Sequence, residues 1–169
     1  MRHLIYITLC LFGLATTAQS TILINNVVIF NGKDEKTITG NVLVVNNLIQ
    51  KISTSPIPTN KSGNTVIIDG KGKFLMPGLI DAHWHAILTA STMNELMYAE
   101  PGYVFIKAGD EAANTLMRGF TSVRDLGGPS FGLKKAIDDG VIDGPRIWPS
   151  GSIISQTSGH GDFRSVNER

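Results

Sequence analysis

Cysteine is nearly absent from this sequence of 169 residues, which contains only Cys10. That one cysteine lies in the first twenty residues, a segment with the pattern of a removable leader. A mature chain without cysteine has no disulfide, no thiolate metal site and no cysteine nucleophile. Any metal ion must therefore be held by histidine, aspartate, glutamate or a lysine-derived ligand.

An excess of charge of one sign is also missing. The sequence has 15 basic and 14 acidic residues, with a formal net charge of +1. This balance argues against nucleic acid or an anionic membrane as the main partner. The Gly-rich stretch 127–132 lacks the Lys-Ser/Thr pair of a phosphate loop, so no phosphate site is expected there. Length and composition are those of a soluble globular protein with its own core.

Residues 1–20 predict a secretory signal peptide. Arg2 and His3 precede an apolar run from Leu4 to Ala15, and small or polar residues follow. The run is short for a membrane span, and the order of basic, apolar and small residues is typical of a cleaved leader. The predicted location is secreted or periplasmic, without membrane attachment after cleavage. An uncleaved anchor is the alternative.

Two segments with different patterns of secondary-structure signals follow the predicted signal peptide. Residues 21–74 predict a β-rich domain, because short β-branched runs alternate with turn signals such as Asn31-Gly32 and Asn46-Asn47. Residues 75–169 alternate predicted strands with predicted helices, one beginning near Thr92 and another running from about 101 to 118. That alternation predicts βαβ units on a parallel sheet, and therefore an α/β fold class.

The stretch "LMPGLIDAHWHA", residues 75–86, contains the histidine pair His83 and His85 in a predicted strand. Alternation along the strand predicts that both share a face with Asp81, while Ile80 and Trp84 lie on the opposite, apolar face. Two imidazoles at this spacing can bind one metal ion, and Asp81 can orient one of them. Two partly buried histidines with ordinary hydrogen-bond partners are the alternative.

Three further residues have structural interpretations. Arg124 and Asp125 end the second predicted strand of this part, and we expect a structural ion pair more than a role in a site. Trp148, in the third predicted strand, is expected to pack in the core.

The motif at residues 75–86 resembles the first barrel strand of the amidohydrolase superfamily. "LMRGFTSVRDLGG" (116–128) and "SQTSGHGD" (155–162) are similar to segments of its imidazolonepropionase-like branch, which includes secreted Xaa-Pro dipeptidase-type enzymes. The resemblance extends from about residue 22 to the end. It implies a β-sandwich-like N-terminal domain in residues 21–74. Residues 75–169 would supply the first three strands of a (β/α)8 barrel of the TIM type.

The resemblance also implies chemistry. The family uses one or two divalent metal ions, usually zinc, and a metal-activated water to hydrolyse a C–N bond in an amide, cyclic amide or dipeptide. His83 and His85 match its first two metal ligands, and His160 lies in a loop that would bind substrate. The later ligands, a lysine, two histidines and an aspartate that acts as general base, match no residue of this chain. No catalytic residue is therefore assigned.

A complete barrel of this kind needs about 250 residues. We therefore expect this chain to be an N-terminal fragment that neither turns over substrate nor binds metal tightly. The alternative is a non-catalytic secreted domain, or a pseudogene product that keeps the start of the scaffold. A homo-oligomer is compatible with either interpretation.

Overall fold

The computed structural model describes residues 20–60 and 64–162. The predicted signal peptide lies outside the described residues except for Ser20. Contacts within the chain divide it into two units between Pro77 and Gly78. The boundary predicted from the sequence, after residue 74, falls slightly earlier. Nowhere in the two described ranges is a helix both long and apolar enough to cross a membrane.

The first unit is built around one mixed sheet of five strands. Strand β1 (Thr21–Ile29) lies centrally, antiparallel to β2 (Ile38–Val45) and parallel to β4 (Thr65–Asp69). Strand β3 (Leu48–Ser53) extends the sheet beyond β2, and the short β5 (Phe74–Leu75) pairs with the end of β1. The described part of this unit contains one sheet, so the two-sheet arrangement of a sandwich stays a prediction.

The turns of this sheet follow the sequence signals only in part. Asn46 has a φ of 56° and begins the two-residue turn between β2 and β3, as predicted. The connection from β1 to β2 is longer than a two-residue hairpin. Within it, the Asn31 side-chain oxygen accepts hydrogen bonds from the backbone N–H groups of Lys33 and Asp34, both at 2.9 Å. Asparagine therefore organises a longer loop here, as short polar side chains commonly do.

The second unit is a three-stranded parallel sheet with helices, and it confirms the predicted alternation. The strands lie in the order β6 (Leu79–Trp84), β7 (Phe120–Asp125) and β8 (Arg146–Pro149). Helices α1 (Ala86–Ala90), α2 (Met93–Tyr98) and α3 (Pro101–Met117) separate β6 from β7, and α4 (Phe131–Asp138) separates β7 from β8. Consecutive parallel order is what a (β/α) barrel requires, and completion of a barrel stays a prediction.

The sequence signals for helix starts predicted the beginnings of two of these helices correctly. Thr92 caps α2 in a capping box with Glu95, and Pro101 occupies the first turn of α3. Both devices satisfy or remove backbone donors that a helix start leaves without partners. After α3 the chain turns at Gly119, whose φ of 95° suits glycine. The five-residue helix α1, directly after the histidine pair, was not predicted.

The core of the second unit lies on one face of its sheet. Ile147 is buried, while its neighbours Arg146 and Trp148 are exposed, so only one face of β8 packs on helices. The expected burial of Trp148 is wrong: the side chain is 52% exposed, with the Arg146 guanidinium 5.9 Å from the ring centroid. The buried cluster comprises side chains from all three strands and from helices α1, α3 and α4: Trp84, Ala86, Ile87, Val104, Ala108, Ala112, Val123, Leu133 and Ile147.

Candidate metal and substrate site

The histidine pair lies at the carboxyl end of β6. His83 is exposed in the strand, and His85 is partly buried as the residue that precedes helix α1. Their ring centroids are 5.2 Å apart, and the ring planes meet at 73°. The two imidazoles therefore lie next to each other, and their role as ligands of one metal ion stays a prediction.

The geometry fits two ligands of one zinc ion. With Zn–N distances near 2.0–2.1 Å and a tetrahedral angle, two bound imidazoles place their ring centres about 5 Å apart. Nδ1 of His85 is buried and has no hydrogen-bond partner within the described residues. Buried polar atoms rarely stay without a partner, so this nitrogen has unused binding capacity. Over residues 20–60 and 64–162, however, no group of three or more potential ligands forms. A catalytic zinc site needs three protein ligands, so the described residues by themselves do not complete one.

The neighbouring backbone holds the pair in place. Trp84, between the two histidines, is buried at 5% exposure, and its carbonyl accepts a hydrogen bond from Leu126 N–H at 3.0 Å. The His85 carbonyl accepts from both the backbone N–H and the hydroxyl of Thr89, at 3.0 and 2.8 Å. Strand β7 and helix α1 therefore restrain the residues that carry the imidazoles.

Asp81 does not share a face with the histidines as simple alternation predicted. It pairs in register with the buried Val123, and Trp84 pairs with Asp125, so β6 contains an extra residue between those points. An irregularity of this kind interrupts the alternation of side chains. The Asp81 carboxylate accepts a hydrogen bond from the His83 backbone N–H at 2.9 Å. The contact that the structure shows is therefore with the backbone of a histidine residue and not with its ring.

Alternation fails for Ile80 as well. This side chain was expected to pack on the apolar face with Trp84, but it is 73% exposed. Its register partner is Ser122, two positions from Arg124, which is also exposed. The apolar face of β6 therefore contacts helices only at its carboxyl end, beside the histidine pair.

Asp125 is the residue of this region that sequence reasoning misjudged. The expected ion pair with Arg124 is wrong: Arg124 Nε donates to the Ala82 carbonyl at 2.8 Å, and Asp125 is fully buried. Its Oδ1 accepts from Gly127 N–H at 3.1 Å, while Oδ2 has no hydrogen-bond partner in the described part of the chain. Asp125 follows the buried Val123 by two positions. Because side chains two positions apart in a strand share a face, this spacing was the sequence signal that could have predicted the burial of Asp125.

A cavity of about 730 Å³ lies at the carboxyl ends of the same strands. Its walls come from helices α1 and α2, from the loop after β7 and from the loop after β8. His160, predicted to bind substrate, is exposed and does not line this cavity, but the adjacent Gly161 and Asp162 do. The substrate role of His160 stays a prediction.

One ion pair anchors the helix that forms a wall of this cavity. Lys107 Nζ on α3 donates to both carboxylate oxygens of Glu95 on α2, at 2.8 and 2.9 Å. The hydrogen bond from Lys107, followed by that from the Thr92 backbone, lowers the pKa of Glu95 from 4.5 to about 2. The same contact raises the pKa of Lys107. Both groups are therefore charged at neutral pH, and they fasten α2 to α3.

These features define a class of protein. The histidine pair lies at the carboxyl end of the first strand of a parallel sheet, which is where the active sites of (β/α) barrels are built. Residues 74–169, more than half of the chain, match the amidohydrolase family. The chain therefore belongs to the amidohydrolase family.

Named relatives agree with this membership. The chain is 38% identical over 92 residues to ochratoxinase from Aspergillus niger, covering 53% of this chain and 19% of that protein. It is 35% identical over 74 residues to imidazolonepropionase from Treponema denticola, covering 43% and 18%. A crystal structure of a prolidase complexed with N-methylphosphonate-L-proline superimposes with a TM-score of 0.75 at 32% identity, covering 89% of this chain and 36% of that one. The matched region thus spans about a fifth of the curated relatives.

Proposed function

We propose that this chain is the N-terminal part of a metal-dependent amidohydrolase that cleaves a C–N bond in a small amide, cyclic amide or dipeptide. The observation that supports the proposal most strongly is the His83–His85 pair at the end of β6, with ring centres 5.2 Å apart, inside the segment that matches the family. The names of the relatives support a hydrolase acting on C–N bonds.

In this proposal His83 and His85 hold one divalent ion, zinc by preference because both ligands are imidazoles. A zinc ion so bound would supply an acidified water and polarise the substrate carbonyl. The residues of this chain contribute orientation: strand β7 and Thr89 fix the backbone of the pair, and Asp81 restrains the His83 backbone. His160 would orient the substrate from the loop after β8.

The 169-residue chain alone is proposed to be inactive. Its described residues bring together two potential ligands, one fewer than a catalytic zinc site requires. Two imidazoles hold zinc only weakly, and no described group completes the coordination. Turnover and tight binding would need ligands from further residues.

A zinc titration of the purified chain, followed by the imidazole NMR signals, tests the site. We expect saturable shifts for His83 and His85 at high zinc concentration and none for His160. His83→Ala or His85→Ala should weaken the binding about tenfold or more, because each removes half of the ligand set. His160→Ala, which removes an exposed histidine elsewhere, is the matched control. Equal zinc affinity in the double variant His83→Ala/His85→Ala would contradict the proposed site, and hydrolysis by the purified chain would contradict the proposed inactivity.

A second candidate is a non-catalytic secreted domain that keeps the start of the scaffold. The absence of a third ligand near the histidine pair, within the part of the chain that the structure describes, favours it. The coding sequence after codon 169 separates the two candidates. A continuation in any frame with a lysine strand, two histidine strands and a late aspartate supports the enzyme, whereas unrelated sequence supports the scaffold or a pseudogene.

We extend the proposal to location: the protein is secreted or periplasmic, with residues 1–20 removed. The support is the order of basic, apolar and small residues in that segment. N-terminal sequencing of the protein from its native compartment tests this. A soluble cytoplasmic form that retains Met1 would argue against secretion.

A further inference from the structure

The 730 Å³ cavity of the second unit is placed where a substrate of the proposed hydrolase would be held. In a parallel sheet the carboxyl ends of the strands share one edge, and ligands bind there. The loops after β7 and β8 and helix α1 leave the sheet at that edge, and all three line the cavity. Ile87 and Leu88, which belong to its wall, follow His85 by two and three positions. The volume lies in the range of small-molecule sites, roughly 300–1,000 Å³.

The described lining of the cavity combines apolar side chains with a few polar ones. The polar ones belong to the loop after β8, where Ser152, Ser155 and the carboxylate of Asp162 contribute, and no described lining residue is a lysine or arginine. Such a lining suits a molecule with a bulky apolar group and a polar end. The large apolar side chains of the lining are Ile87, Leu88, Met93, Leu96, Met97 and Ile153.

The walls of the cavity are held by specific contacts. The Glu95–Lys107 ion pair fastens helix α2, which presents Met93 and Met97, to helix α3. The loops after β7 and β8 are joined by the hydrogen bond from Gly128 N–H to the Gly151 carbonyl at 2.9 Å. These contacts within the chain hold the walls in position, and walls held in this way lower the entropic cost of binding.

Glycine is required where these two loops meet. A Cβ at Gly127 would collide with the Ile153 side chain, as would one at Gly161. Because both positions lack a side chain, Ile153 can lie against the backbone and form part of the apolar wall. The apolar character of the cavity thus depends on particular residues of two separate loops.

We propose that this cavity is a substrate-specificity subsite that accepts a bulky apolar side chain, aliphatic or aromatic, of an amide. The inference rests on the proposed function, since it names a group of the substrate that the proposed hydrolase would hold; the cavity is lined by the helix that follows His85 and not by the two histidines themselves. Met93 and Met97 on α2 are its specificity-determining residues. Their flexible thioethers can adapt to apolar groups of different shape.

The methionines allow a direct test on the 169-residue chain without metal. The chain would be labelled with ¹³C-methyl methionine and titrated with N-acetyl-L-phenylalaninamide, with N-acetylglycinamide as the probe that lacks the side chain. We expect saturable methyl shifts at Met93 and Met97 with the first probe. Met117, which is 84% exposed and outside the cavity, should not shift. N-acetylglycinamide should bind about tenfold more weakly or not at all, since it buries no apolar side chain.

Matched variants locate the binding. Met97→Lys places a charge in the cavity at a position that is already 49% exposed, so the fold should tolerate it. We expect it to reduce affinity for the phenylalanine probe about tenfold or more, while Met117→Lys leaves affinity unchanged. Equal affinity for both probes, shifts confined to Met117, no shift at all, or an unaltered Met97→Lys variant would each overturn the subsite.

Failure of this inference is distinguishable from failure of the proposed function. Zinc binding that depends on His83 and His85, with no selective binding of the phenylalanine probe, would overturn the subsite alone. Selective probe binding without zinc binding would uphold the subsite and overturn the metal site.

Discussion

The two units of this chain differ in how they use apolar side chains. The first has a buried cluster of three residues, Val27, Ile29 and Val42, and exposes large apolar side chains on β3, such as Leu48 at 68%. The second has nine buried residues in its cluster, most of them where the sheet contacts helices. The candidate metal ligands His83 and His85 lie in the second unit as well. The larger buried cluster and the candidate site therefore belong to the same unit.

In β7 of the second unit buried and exposed residues alternate, and the polar Asp125 is one of the buried ones. Val123 is buried on the helix side of β7, while Arg124 is exposed. Polar and apolar neighbours can coexist in one strand because they point to opposite faces. The first unit also has polar side chains in contact at a strand end, since Asn26 Nδ2 donates to Asp69 Oδ1 at 3.3 Å at the end of β4, but none of its described residues is a histidine.

The largest expected effect is the loss of core packing in the second unit. Ile147→Ala should destabilise that unit by about 2–5 kcal/mol, because Ile147 is 1% exposed and its removal leaves a cavity. Both tryptophans, Trp84 and Trp148, belong to the second unit, so fluorescence-detected denaturation reports on it alone.

Ile29→Ala is the matched control, because it makes the same chemical change in the core of the first unit. It should lower the denaturant concentration at the midpoint of the transition detected by circular dichroism and leave the midpoint detected by fluorescence unchanged. If both variants shifted the fluorescence transition equally, the two units would unfold as one and the comparison would fail.

A smaller effect is expected at Asp125, where the second unit buries a polar side chain. Asp125→Ala removes the acceptor for the Gly127 N–H, and an unsatisfied buried donor costs about 1–3 kcal/mol. Asp125→Asn keeps a side-chain oxygen at that position and should be closer to the parent in urea denaturation. A loss as large for asparagine as for alanine would indicate that the charge itself, and not the hydrogen bond, is needed.

The smallest effect concerns the pH dependence of the contact that fastens α2. Since the pKa of Glu95 is lowered from 4.5 to about 2, its carboxylate stabilises the folded state above pH 4.5, and this contribution is lost as the pH falls through about 2. Glu95→Gln should therefore have a slightly lower Tm than the parent at pH 7, and the difference should vanish near pH 2. Calorimetry at several pH values measures this, with the exposed loop carboxylate Asp143→Asn as the control for removing one negative charge. A difference that stayed constant down to pH 2 would show that the ion pair is not its cause.

Much of the secondary structure could be predicted from local signals. The capping box of Thr92 and Glu95, Pro101 in the first turn of α3 and the Asn46-Asn47 turn are interactions between near neighbours in the chain. Such interactions depend on a few adjacent residues, so a sequence expresses them directly. The short helix α1 has no such signal, because the side chain of its N-cap residue, His85, makes no capping hydrogen bond.

The candidate site was predictable only in part. The position of His83 and His85 at the end of a strand, and their common direction, followed from spacing. The orientation of Asp81 did not, because the irregular pairing of β6 with β7 shifts its register relative to the histidines. The burial of Asp125 likewise depends on packing against helices that are distant in sequence.

By itself the sequence determined the alternation of strands and helices in the second unit apart from helix α1, the histidine pair and membership of the amidohydrolase family. Periodicity, caps and motif spacing are properties of neighbouring residues, so they can be recognised without knowledge of the fold. Tertiary structure alone decided that Asp81 contacts backbone, that Trp148 is exposed and that residues from α1, α2 and two loops enclose one cavity. Those facts depend on strand register and on which surfaces meet, and both are set by contacts between residues far apart in the chain.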